Sequence, residues 1–100
     1  VQRPVAAADA PAVVATFLSP AAPNPARSAI RVRYALQRGG EATLYVVDVL
    51  GRHVAVLARG AQTPGDAEVR FDTHGLPPGR YTLVLEHDGE RLTQPLTIVR

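Results

Sequence analysis

Turn signals break this chain at short intervals, and that spacing is the strongest constraint on its fold. They are Gly39-Gly40, Asp48-Val49-Leu50-Gly51, Pro64-Gly65, Leu76-Pro77-Pro78-Gly79 and Asp88-Gly89. Between them lie short alternating apolar runs, and no segment keeps a helical period. The central signal, Asp48 to Arg52, separates Ala42-Thr43-Leu44-Tyr45-Val46-Val47 from His53-Val54-Ala55-Val56-Leu57. An Asp opening a type I turn accepts a hydrogen bond from the backbone two residues on. Gly51 then supplies the left-handed residue of a three-residue hairpin with a bulge. Turn chemistry accounts for Asp48, and a catalytic acid there would lack a partner nearby in sequence.

The runs predict strands over 13–18, 29–36, 42–47, 53–57, 67–72, 80–87 and 90–99. Over 29–36, Ile30, Val32, Tyr34 and Leu36 share one face, with Arg31 and Arg33 on the other; that is a half-buried strand. Leu44, Val46, Val69, Phe71, Tyr81, Leu83 and Leu85 are expected inward, with Leu92, Leu96 and Val99 from the last strand. Pro20, Pro23 and Pro25 interrupt regular pairing and predict a segment that caps one end. Pro95 places the last strand at an edge or makes it bulged. The predicted fold is all-β: a seven-stranded antiparallel β-sandwich of immunoglobulin or fibronectin III type. The missing Cys…Trp…Cys pattern excludes an antibody-type domain.

One hundred residues suit a single domain. Residues 1–12 are rich in Ala and Pro and read as a linker, leaving 13–100 as the folded unit. The chain begins at Val1 without a signal-peptide pattern, so it reads as a piece of a longer protein with any targeting signal upstream. No apolar run is long enough for a transmembrane segment. There are no cysteines, which excludes disulfides and Cys-ligated metal. Net charge is +2, and the eleven cations, all Arg, are scattered among nine acids. A nucleic-acid surface needs clustered charge and stacking aromatics, and five aromatic residues are too few.

The search for reactive groups returns little. His53, His74 and His87 share no metal-ligand spacing and read as exposed or turn residues. Asp72, Glu86 and Asp88 read as solvated strand ends rather than a calcium loop. The two serines, Ser19 and Ser28, sit in no nucleophile motif. Tyr45 is the one aromatic expected on the outer face; a cross-strand partner suits it better than a sugar-stacking role. No catalytic, metal or cofactor-binding residue emerges.

Four stretches carry a resemblance. Pro23-Asn24-Pro25 followed by Val32-Arg33-Tyr34-Ala35-Leu36 resembles the opening of type A C-terminal sorting domains of the type IX secretion system. Asp48-Val49-Leu50-Gly51-Arg52 resembles their central hairpin, and Leu76-Pro77-Pro78-Gly79-Arg80-Tyr81 their Leu-x-x-Gly-x-Tyr turn. The closing Leu96-Thr97-Ile98-Val99-Arg100 resembles their apolar tail with a basic end. The pattern is also similar to the immunoglobulin-like domain of the flagellar hook-capping protein. Ala26 stands where that family often carries an aromatic.

The resemblance implies a non-catalytic C-terminal address that takes an upstream cargo through the periplasm to the cell surface or the medium. It implies an outer-membrane secretion machine and the cargo as partners, a monomer, and no cofactor or nucleic acid. It marks Pro23, Asn24, Pro25, Asp48, Gly51, Arg52, Leu76, Gly79 and Tyr81 as motif positions, and residues 96–100 as a recognition tail. The alternative is a fibronectin-type accessory module of an extracellular enzyme, acting as a spacer or as a carbohydrate- or protein-binding unit. Position at the end of the protein distinguishes the two.

Overall fold

A computed structural model describes residues 15–100. The expected linker over 1–12 and the start of the first predicted strand lie outside the described residues. Seven strands form: β1 (Phe17–Leu18), β2 (Ala29–Leu36), β3 (Gly40–Asp48), β4 (His53–Gln62), β5 (Gly65–Asp72), β6 (Gly79–His87) and β7 (Glu90–Ile98). They make two antiparallel sheets, of order β1-β2-β5 and β4-β3-β6-β7. The described residues contain no helix. The all-β two-sheet architecture predicted from the turn spacing is therefore the one adopted.

Alternation decides which faces meet. Ile30, Val32, Tyr34 and Leu36 of β2 are buried, as are Leu44 and Val46 of β3 and Tyr81, Leu83 and Leu85 of β6. Val69 and Phe71 pack on the same core from β5. Each fully buried aliphatic side chain contributes about 1.5–3 kcal/mol, so this face dominates the stability. In β7 the inward residues are Leu92, Leu96 and Ile98. Val99 was expected among them, but it has the opposite parity. Its N–H instead donates to the Ala26 carbonyl at 2.8 Å.

Strand β4 departs from simple alternation. Its register against β3 slips at Leu44/Tyr45 and at Val46/Val47. Each slip inserts an extra β4 residue, a β-bulge. Val54 and Ala55, then Leu57 and Ala58, consequently all pack against the core. The strand also runs on to Gln62, past the predicted end at Leu57. The turn signalled by Asp88-Gly89 follows β6 with positive φ at both residues, 55° and 80°, as a type I′ turn requires.

The segment after β1 changes sheets. Ser19 and Ala22 still pair with Arg33 and Arg31 of β2. Beyond Pro23 the chain crosses to β7, where Ala26 makes a parallel bridge to Ile98. Prolines suit such a crossing because they cannot continue the first ladder. The capping role expected for this segment is thus an edge cover.

Candidate recognition surface

Antiparallel pairing brings the ends of several strands to one pole. Asp48 of β3 is the cross-strand partner of Tyr81 of β6, and Tyr81 is the partner of Leu96 of β7. Gly79 pairs with Ile98. The four motif stretches, scattered through the sequence, thereby become neighbours.

The hairpin tip is a rigid turn. The Gly51 N–H donates to the Asp48 carbonyl at 2.9 Å, and Gly51 takes φ 81°, as a closing glycine should. The Asp48 carboxylate accepts from the Leu50 N–H at 2.9 Å, the Arg52 N–H at 3.0 Å and Arg52 Nε at 2.8 Å. The Arg52 backbone donor, supported by its guanidinium and the Leu50 N–H, holds the Asp48 carboxyl below its ordinary value. Arg52 is thus committed to the turn. Val49 and Leu50, between them, are 79% and 74% exposed.

Tyr81 fixes the neighbouring corner. Its hydroxyl donates to the Pro77 carbonyl at 2.6 Å, four residues upstream. A Tyr near the start of a strand bonding back to its own loop is a recurrent β-sandwich device. Leu76 turns inward and is 8% exposed, while Pro77, Pro78, Gly79 and Arg80 face solvent.

Asn24 caps the edge of β7. Its Nδ2 donates to the Pro95 carbonyl at 3.2 Å, and its Oδ1 accepts from the Thr97 N–H at 3.0 Å. Ala26 continues the cover, donating to the Thr97 carbonyl at 2.8 Å. The outward Pro95 carbonyl shows that Pro95 nitrogen also faces this edge, so the proline removes no bond to β6. The register from Gly79↔Ile98 to His87↔Glu90 is unbroken, so β7 is an edge strand without a bulge.

Arg100, the basic end of the expected recognition tail, is held by the fold: its guanidinium donates to the Arg27 carbonyl at 3.1 Å, Thr73 at 2.8 Å and Leu76 at 2.5 Å. It latches the tail across two loops. Those loops are also joined directly, by the Thr73 N–H to the Ser28 carbonyl at 2.8 Å. The sequence could not reveal this, because these three acceptors are backbone carbonyls of remote loops.

The residues weighed for chemistry disperse. Asp72 sits at this pole, where it accepts from the His74 N–H at 2.9 Å. That bond, with the His74 ring alongside, lowers the Asp72 carboxyl from its ordinary value. Glu86 and Asp88 belong to the opposite end of β6, so the three acids do not meet. His53 stacks on Tyr45, with ring centroids 4.2 Å apart. Tyr45 also donates to Glu86 Oε2 at 2.8 Å. Burial, then the Glu86 carboxylate, raises its hydroxyl above the ordinary 10.0. The Tyr45 ring is thus 3% exposed and covered by its neighbours, leaving no free platform for a sugar. His87 corrects the expectation of exposed histidines. It shares the inward parity of Leu83 and Leu85, is 4% exposed, and bonds through Nδ1 to the Glu41 carbonyl at 2.9 Å. Among the described residues, no three His, Asp or Glu side chains form a metal-sized cluster.

A family profile described as the secretion system C-terminal sorting domain matches residues 21–99. The chain belongs to that family. The sorting domain so defined runs from the segment that changes sheets to the end of the tail. Membership makes this a type IX secretion sorting signal, and implies export through the periplasm to the cell surface or the extracellular space. Such a domain works with the secretion machinery and with a cargo in the same chain, and domains of this kind are typically non-catalytic. A search of curated proteins finds no match. No helix among the described residues is long and apolar enough to cross a membrane.

Proposed function

We propose that this sorting domain is a non-catalytic address that directs a cargo joined upstream of it to the outer-membrane type IX machinery. The surface read is the pole described above. The observation that supports this is convergence: Asn24, Asp48, Tyr81 and Leu96 come from four remote stretches and meet in one row and its edge. In this reading residues 13–100 are the functional unit and 1–12 the tether. The unit acts as a monomer, without cofactor or nucleic acid. Pro23, Asn24, Pro25, Asp48, Gly51, Arg52, Leu76, Gly79 and Tyr81 shape the surface. Residues 96–100 act as part of it while docked in the sheet.

The test joins a stable reporter upstream of Val1 in a host with the type IX machinery. The intact fusion is expected outside the cell, and in the periplasm of a strain lacking the machinery. Retention in both strains, while an established sorting domain exports the same reporter, would sink the proposal.

A further inference from the structure

Several side chains at the pole are committed, while Arg27 and Arg80 form no ion pair among the described residues. Asp48 and Arg52 hold the turn, Asn24 the edge, Tyr81 the corner and Arg100 the loops. Val49 and Leu50 are the pole's uncovered aliphatics. Isolated exposed aliphatics are normal on any surface. Here two adjacent ones stand 79% and 74% exposed, on a tip whose backbone is fixed by the Asp48 carboxylate. A type I turn accepts most residues at its central positions, so turn geometry does not require two aliphatics here. Val49 lines two grooves. One, of about 540 Å³, is lined by Arg80, Thr82, Pro95 and Thr97; the other, of about 380 Å³, by Pro77, Pro78 and Arg80.

Resting on the proposed function, we infer that Val49 and Leu50 are the anchor of the domain, inserting into an apolar pocket of the export machinery that carries an acidic rim. An aliphatic pair on a preorganised turn loses little backbone entropy on docking. The acidic rim follows from the charges at the pole. Arg27 and Arg80 form no ion pair among the described residues. Asp48 is paired with Arg52 and Asp72 contacts the His74 ring, so Arg27, Arg52, Arg80 and Arg100 outnumber the two acids here. The pole therefore carries net positive charge, with Arg80 beside Val49, and electrostatic complementarity selects an acidic surround.

The experiment compares the reporter fusion carrying the full 100-residue chain with Val49→Ser/Leu50→Ser and Arg80→Glu forms. The double serine variant is expected to keep the wild-type melting temperature, because both side chains already stand in water. Its export is expected to fall about tenfold or more, the loss of two buried aliphatic contacts. Arg80→Glu is expected to slow export at unchanged stability. Export of the serine variant at the wild-type level overturns the inference, and so does a large drop in its melting temperature. If sedimentation shows a wild-type dimer that the serines dissolve while export persists, the tip joins copies of this chain and the inference fails. Should the wild-type fusion itself stay in the periplasm, the address reading fails first and takes the anchor with it. Normal export of wild type with normal export of the serine variant removes the anchor alone.

Discussion

Asp48 carries three hydrogen bonds on one carboxylate, which ties the hairpin tip to pH. Its folded carboxyl lies below the ordinary 3.8, so the ionised form is the one the fold prefers. The stabilisation is complete above the unfolded value and is lost as pH falls through the depressed folded value. Asp48→Ala is therefore expected to be less stable than wild type at neutral pH, with the gap closing in acid as pH falls through the folded value. Urea melts at neutral and acid pH check it, and a constant gap would mean that the carboxylate is not the cause. Gly51→Val acts on the backbone instead. A β-branched residue held at φ 81° should cost about 1–3 kcal/mol at every pH. Arg100 belongs to the same scale. Arg100→Ala should cost about 1–3 kcal/mol for its lost carbonyl contacts, and Arg100→Lys should recover only part, since an ammonium cannot span that fork. Chemical denaturation ranks the three, and an Arg100→Ala variant as stable as wild type would remove the latch.

At the scale of elements, β7 needs its cover. Asn24 imitates a strand residue, donating to Pro95 and accepting from Thr97. Asn24→Asp would set a carboxylate oxygen against the Pro95 carbonyl. It is expected to destabilise by about 1–3 kcal/mol near neutral pH and less in acid, where a protonated carboxyl can donate again. A pH-independent loss would argue against this contact. Removing residues 96–100 is more drastic, because Leu96 and Ile98 are each 1% exposed. Together they supply about 3–6 kcal/mol, a large part of a small domain's margin, so the truncated domain should unfold. Such contrasts show what the sequence made legible. Strand β2 was readable to the residue because one face is apolar and the other is Arg. Strand β4 was not, because two bulges disrupt its period and Arg59 to Gln62 are held by backbone pairing to Gly40 through Thr43. The Pro-Asn-Pro stretch was readable as a break in a strand. Its role as an edge cover depends on β7, some seventy residues away, which no local rule connects. Likewise, Val49 and Leu50 read as turn residues; their composition was the available signal, and only the exposure gave it meaning.

The whole molecule sets the final test, because the pole exists only while the sheets are packed. Asp48, Tyr81 and Leu96 touch through strand register, and strand register is held by the core. A composite address of this kind should fail whenever the domain unfolds, wherever the damage lies. Leu44 is fully buried in the middle of β3, beside Leu85, and sits about 13 Å along the strand from Asp48. Leu44→Ala leaves every motif residue in place and is expected to cost about 2–5 kcal/mol through the cavity it creates. Reporter export should then fall in proportion to the folded fraction measured by thermal melting, and recover at a growth temperature where the variant refolds. The companion variant carries the reporter joined to residues 96–100 alone, which holds the tail sequence but no sheet to dock it. That fusion is expected to stay in the periplasm. If the five-residue tail exports the reporter, or if a largely unfolded Leu44→Ala domain is exported like wild type, the address is a linear peptide rather than a folded surface. Convergence at the pole would then be a consequence of the fold and not its function.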